Sequence, residues 1–195
     1  HTVTASQVFG VSPEDVTLAL RSQAKAVNFG IVYGIGDFTL SQDIGVTKAA
    51  AKKYIDGYLA NYPGVASYLS DTKRTAHELG YVQTVFGRRR YIPELTASKK
   101  PLVAFGERVA MNSPIQGTAA DIIKLAMVNT QKALEKSGLD AHLILQVHDE
   151  LIIESARECA DEVMKLLKYE MENVISLPVR LTVEIKSADS WYDCK

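Results

Sequence analysis

Cysteine is scarce. Cys159 and Cys194 are the only two in 195 residues, too few for a disulfide framework in a chain of this length, and a reducing, cytoplasmic setting is the expectation that follows. Long apolar runs are missing as well: no stretch approaches the ~18 residues of a membrane helix, and no basic segment followed by an apolar one opens the chain as a signal peptide would. There is almost no net charge, −1 at pH 7. With 47% hydrophobic and 23% charged residues, the composition excludes disordered, collagen-like and low-complexity classes. A globular chain of this size buries roughly 70% of the surface its unfolded form exposes. It opens on His1 rather than Met, which reads as the interior of a longer protein.

The small net charge hides an asymmetry. The first 100 residues carry 12 Lys and Arg against 8 Asp and Glu, and the remaining 95 carry 10 against 15. A basic half suits phosphate groups and an acidic half suits metal ions, although chance produces such splits too.

The first half reads as helical. Ser12-Pro13-Glu14-Asp15 has the form of a helix start, with Ser12 as N-cap, and the helix is expected over 13–34, until Gly34 and Gly36 interrupt it. A second helix starts at Val46-Thr47-Lys48, a third runs from Val65 to Leu79 with Gly80 as its cap, and residues 81–92 form a hairpin with Arg88-Arg89-Arg90 at its basic tip. In the second half, Leu102 to Asn112 and Thr118 to Leu134 read as two helices separated by Pro114. Two apolar strands then flank His148-Asp149-Glu150, Arg157 to Asn173 is an amphipathic helix, and Pro178 to Ile185 alternates as a strand. The expected class is α+β, mostly helical first and then a small antiparallel sheet packed on helices.

Three constellations carry chemistry. Arg21, Lys25, Phe29 and Tyr33 recur every four residues, so on a helix they share a stripe about 120° wide and ~18 Å long. Two cations followed by two aromatics suit a ligand with a polyanionic tail and a flat head, such as a nucleoside triphosphate. The same spacing fits an amphipathic helix with solvated cations and buried aromatics. Asp149 and Glu150 put adjacent carboxylates at a hairpin tip, where hard oxygen ligands suit Mg²⁺; both are also common turn residues. Arg108, Asn112 and Gln116 carry the side chains that reach minor-groove acceptors, which every base pair presents; taken alone, such a set is more often a polar helix edge.

Taken in order, Arg21-x3-Lys25-x3-Phe29-x3-Tyr33-Gly34, then Glu107-Arg108-x3-Asn112-x-Pro114-x-Gln116-Gly117, then Gln146-Val147-His148-Asp149-Glu150, the chain resembles the family-A DNA polymerases along its whole length. The resemblance implies template-directed DNA synthesis, with residues 1–101 as the fingers subdomain and 102–195 as the C-terminal part of the palm. It implies that His1, Arg21 and Lys25 hold the triphosphate, Phe29 stacks on the sugar and Tyr33 guards the templating position. Arg108, Asn112 and Gln116 then face the minor groove, His148 lies near the primer terminus, and Asp149 with Glu150 holds metal. Asp149, Glu150 and Lys25 are the catalytic groups so implied. The partners implied are primer–template DNA and deoxynucleoside triphosphates, with two Mg²⁺ ions, in a monomeric, nucleoid-associated protein of the bacterial cytoplasm. The first metal-binding aspartate of that family belongs to a segment upstream of His1, and no Asp-Tyr-Ser-type segment occurs here. Two other readings are a single-subunit, phage-type RNA polymerase and a non-catalytic primer–template binding fragment. Phage-type RNA polymerases usually carry His-Asp-Ser where this chain has His148-Asp149-Glu150, and lack an aromatic at position 29.

Overall fold

The computed structural model describes residues 1–194. It is an α+β structure of seven α-helices and two antiparallel hairpins among the described residues. The chain divides into two compact units, His1–Ile115 and Gln116–Lys195. None of the described helices is long and apolar enough to cross a membrane.

The first unit begins with α1 (Thr2–Phe9), α2 (Leu18–Val32), α3 (Asp37–Ile44), α4 (Lys48–Asn61) and α5 (Pro63–Leu79). The start of α2 differs from the sequence expectation. Residues Pro13–Asp15 form only a 3₁₀ turn, because the Ser12 hydroxyl donates to Asp15 Oδ2 at 2.8 Å and caps no backbone N–H. Thr17 performs that task instead, accepting from the Leu20 N–H at 3.2 Å, so α2 begins at Leu18. Thr47 caps α4 in the same way through Ala50, as its sequence position suggests. At the end of α5, Gly80 adopts φ +74° and its N–H closes on the Ala76 carbonyl, the left-handed C-cap that glycine enters without strain. Val27 and Ile31 of α2 pack with Leu40, Ile44, Ala51 and Tyr58 as one core cluster.

A small hairpin, β1 (Tyr81–Gln83) and β2 (Arg89–Tyr91), follows α5. Its arginines are exposed, and the Arg89 guanidinium lies 4.7 Å from the centre of the Tyr81 ring. A second cluster joins Ala76, Val82, Ile92, Leu95 and Ala110.

The helix expected to break at Pro114 does not. Residues Lys100–Ser137 form one 38-residue helix, α6, with Pro114 inside it. An interior proline removes one backbone hydrogen bond and costs ~3 kcal/mol. Two side chains just before it turn back onto the helix: the Asn112 amide donates to the Arg108 carbonyl at 2.9 Å, and the Ser113 hydroxyl to the Val109 carbonyl at 2.6 Å. Both bonds are local back-bonds of the turn that precedes the proline; the donor that Pro114 lacks would have served the Ala110 carbonyl.

In the second unit, β3 (Ala141–Val147) and β4 (Glu150–Ser155) pair antiparallel, with a bulge between Leu143 and Leu145. Leu143, Leu151 and Ile153 turn toward Ile123, Ala126 and Leu167, the last of these on α7 (Ala160–Glu172). The strand expected over 178–185 forms no ladder among the described residues. Ile185 of that segment packs on the Ile123–Leu167 cluster, and one carboxylate gathers its polar contacts. Glu172 Oε1 accepts from the Val183 N–H at 3.0 Å, while Oε2 is 3.4 Å from Arg180 and Lys168 stands 3.8 Å from Oε1. The Val183 N–H holds the Glu172 carboxyl below its ordinary value of 4.5; burial opposes it, and the Lys168 and Arg180 charges each add a smaller lowering effect.

Two outcomes follow from this packing. A carboxyl with a depressed pKa stabilises the fold above its ordinary value, and that contribution is lost as pH falls through the lower, folded value. Chemical denaturation of wild type and Glu172→Gln should therefore give a stability difference that is constant above about pH 5 and shrinks on acidification. The second outcome concerns Thr130, which is fully buried on α6 with a hydroxyl that has no hydrogen-bond partner. Thr130→Val keeps the shape and removes the unpaired polar atom, so the denaturation midpoint should rise, corresponding to about 1 kcal/mol.

Candidate functional site

α2 has two sides. Ala24, Val27, Gly30 and Ile31 are its buried residues, which turns Arg21, Lys25, Phe29 and Tyr33 outward. Phe29 and Tyr33 are each 46% exposed, which decides between the two readings of their spacing: these rings are not core. Their centroids lie 6.1 Å apart with planes 25° from parallel. The His1 ring stands 5.9 Å from Phe29 with a 51° tilt, and Lys25 Nζ is 6.0 Å from the Phe29 centroid. One exposed surface therefore presents three rings beside a lysine, with Arg21 one helical turn before Lys25.

His1 is tied to this surface by a residue that the spacing pattern does not single out. Asn28 Nδ2 lies 2.8 Å from His1 Nδ1 and 3.2 Å from Thr4 Oγ1. No local pattern reveals a partner 27 residues away.

The surface continues onto α6 through Gly34. This residue has φ +71°, and a Cβ there would overlap Met111 Cε and lie 3.0 Å from Arg108 Cγ. Only glycine permits both the backbone angle and the close approach. The stem of Arg108 thus packs at the C-terminal end of α2, next to Tyr33, and its guanidinium lies 6.0 Å from the Phe105 centroid. Asn112 follows one turn later, but its amide is bonded to its own helix and its Oδ1 is buried with no partner. Gln116 continues the spacing along α6, exposed.

The acidic motif lies in the second unit. Val147 pairs with Glu150, so His148 and Asp149 form a two-residue turn, and Glu150 opens β4. His148 has φ +52° and is the one non-glycine residue at positive φ among those described. Gln146 Nε2 donates to the His148 carbonyl at 2.6 Å and braces that turn. All three motif residues are exposed. Among the described residues no three His, Cys, Asp or Glu side chains stand close enough together to hold a metal, so Asp149 and Glu150 are a pair of oxygen donors rather than a closed cage.

Comparison with known proteins covers nearly the whole chain. The sequence profile of DNA polymerase family A matches residues 1–193. DNA polymerase I of Bacillus subtilis is 51% identical over 195 residues, spanning all of this chain and 22% of that protein. DNA polymerase I of Caldicellulosiruptor bescii is 49% identical over all of this chain and 23% of its own length. The chain therefore spans less than a quarter of the curated relatives it matches. Among solved structures, the polymerase domain of Pol1 from M. smegmatis, in complex with DNA primer-template and dNTP, superimposes with a TM-score of 0.88 at 40% identity, covering 93% of this chain and 32% of that one. With the profile matched across both the exposed face of α2 and the β3–β4 turn, this chain belongs to DNA polymerase family A.

Proposed function

We propose that the chain is part of the polymerising region of a DNA-directed DNA polymerase, with residues 1–101 as fingers and 102–195 as the C-terminal portion of the palm. The reaction is attack of a primer 3′-hydroxyl on the α-phosphate of a deoxynucleoside triphosphate, with release of pyrophosphate. The observation that carries this reading is the outward face of α2, where two cations lead into a row of half-exposed rings that burial would otherwise have claimed.

Each residue has a role under this reading. The planar guanidinium of Arg21 grips phosphate oxygens in pairs, Lys25 adds a point charge, and the His1 ring reaches the same phosphates. Phe29 lies against the sugar and Tyr33 stands at the templating position. Arg108, Asn112 and Gln116 face the minor groove, where acceptors common to all pairs report geometry rather than sequence. One N–H of the Asn112 amide is held by the Arg108 carbonyl, and the second is the donor left for a base acceptor. His148 lies near the primer terminus.

Asp149 and Glu150 are adjacent, exposed, hard oxygen donors, and such a pair fits Mg²⁺, which completes its shell with water and substrate phosphates. Bound there, the ion supplies positive charge to the oxygens of the transferring phosphoryl group. The relatives named DNA polymerase I and the neighbour bound to primer-template and dNTP support the polymerase reading; a monomer in the bacterial cytoplasm is the setting this reading carries with it.

Primer extension tests the reading against a purely binding role. The full-length protein should extend a primed template with all four nucleotides, while residues 1–195 alone should not, since two carboxylates do not assemble a two-ion clamp. Extension by neither supports the binding role. Extension by residues 1–195 at the full-length rate overturns the metal assignment. A second outcome tests Lys25. In the full-length protein, Lys25→Ala should weaken all four deoxynucleoside triphosphates alike, by about ten- to a hundredfold in steady-state affinity, because a phosphate contact carries no base information. A loss confined to one base would remove Lys25 from the phosphates.

A further inference from the structure

Asn28 occupies the position before Phe29 on α2, and its carboxamide nitrogen serves two acceptors at once: His1 Nδ1 at 2.8 Å and Thr4 Oγ1 at 3.2 Å. Thr4 is buried on α1, so one of the two N–H groups is anchored in the interface between α1 and α2 and the other has a fixed direction. An amide N–H only donates. The ring nitrogen facing it must therefore present its lone pair, and a neutral imidazole with a lone pair on Nδ1 carries its single proton on Nε2.

We propose that Asn28 is a positioning residue that holds His1 in the Nε2–H tautomer and sets the tilt of its ring beside Phe29, so that the outer ring nitrogen is a donor. The proposal rests on the reading of this face as a triphosphate site, and it explains how His1 serves there. Phosphate oxygens only accept hydrogen bonds. With the opposite tautomer, the outer nitrogen would set a lone pair against them. A carboxylate at position 28 would impose that opposite arrangement, since it accepts from Nδ1–H and leaves Nε2 bare. The ring tilt of 51° against Phe29 at 5.9 Å is the second restraint on the imidazole, and Asn28 and Phe29 are successive residues of one helix, so both restraints move together.

The test uses residues 1–195 with ring-¹⁵N histidine at about pH 8, above the ordinary histidine value of ~6.5. The His1 signals are assigned by their loss in His1→Gln. In the wild type, two-bond ¹H–¹⁵N correlation should show a single protonated nitrogen, Nε2, and a scalar coupling should connect Asn28 Nδ2 to His1 Nδ1 across the hydrogen bond. Asn28→Asp should move the proton to Nδ1 while His77, His142 and His148 keep their signals, which shows that the fold has survived. A wild-type His1 protonated on Nδ1 overturns the proposal without recourse to any variant. So does an unchanged tautomer in a folded Asn28→Asp chain.

Titration with dATP separates this inference from the reading beneath it. Asn28→Leu and His1→Gln should each weaken dATP binding by about tenfold, and the double variant by no more than either alone. Additive losses would mean that Asn28 acts independently of His1, and the positioning role would fall. If His1→Gln leaves dATP binding unchanged while the tautomer pattern holds, the phosphate role of His1 falls and the tautomer assignment stands.

Discussion

The packing of Val27 and Ile31 against Leu40, Ile44, Ala51 and Tyr58 is the constraint on which the rest of the first unit depends. A helix has a single rotational setting. Once that stripe enters the core, the positions at 21, 25, 29 and 33 have nowhere to go but outward. Burying a valine or isoleucine side chain stabilises by about 1.5–3 kcal/mol, and leaving two aromatic rings half exposed forgoes a contribution of the same order. A helix selected for stability alone would turn those rings inward. Here smaller aliphatic side chains fill the core and the rings stand outside it, with the lysine and His1 at their edge.

Other local rules are broken in the segments that carry the family motifs. Pro114 sits inside α6, directly after two side chains, Asn112 and Ser113, that bond back to their own helix. Asn112, two residues earlier, buries an acceptor that has no partner. His148 holds a left-handed backbone angle that Gln146 braces from the strand beside it. Such backbone and polar costs, of order 1–3 kcal/mol each, persist only where surrounding structure over-determines them. Thr130 is the exception, since its unpaired hydroxyl lies outside every motif; nothing in the structure explains it.

The polar contacts that matter here are short and specific rather than numerous. Asn28 donates to His1 and to Thr4 of α1, Glu172 gathers the Val183 N–H and the Arg180 charge, and Gly34 admits the stem of Arg108 against the end of α2. Each links an element to a partner distant in sequence. The exposed pairs Lys52–Asp56 and Arg74–Glu78 lie within single helices, and pairs of that kind are worth a few tenths of a kcal/mol.

What the sequence determined by itself is whatever acts within about one helical turn or one strand pair. Thr47 as a cap, the proline start and glycine end of α5, the basic hairpin and the strands around His148-Asp149 are all visible in residue type and spacing. So is the four-residue recurrence on α2, because the helical period alone puts Arg21, Lys25, Phe29 and Tyr33 on one side. Tertiary packing decided which way that side faces, since spacing does not distinguish a core stripe from an exposed one of similar composition. The passage of capping from Ser12 to Thr17 is local, each bond spanning three residues. Tertiary packing also decided the events that override local rules. α6 continued through Pro114, and residues 178–185 stayed out of any ladder among the described residues, with the Val183 N–H on Glu172 and Ile185 on the Ile123–Leu167 cluster. The pairing of Asn28 with His1 is of the same kind: it depends on two helices meeting, and a contact between residues 27 positions apart leaves no periodic trace in either segment.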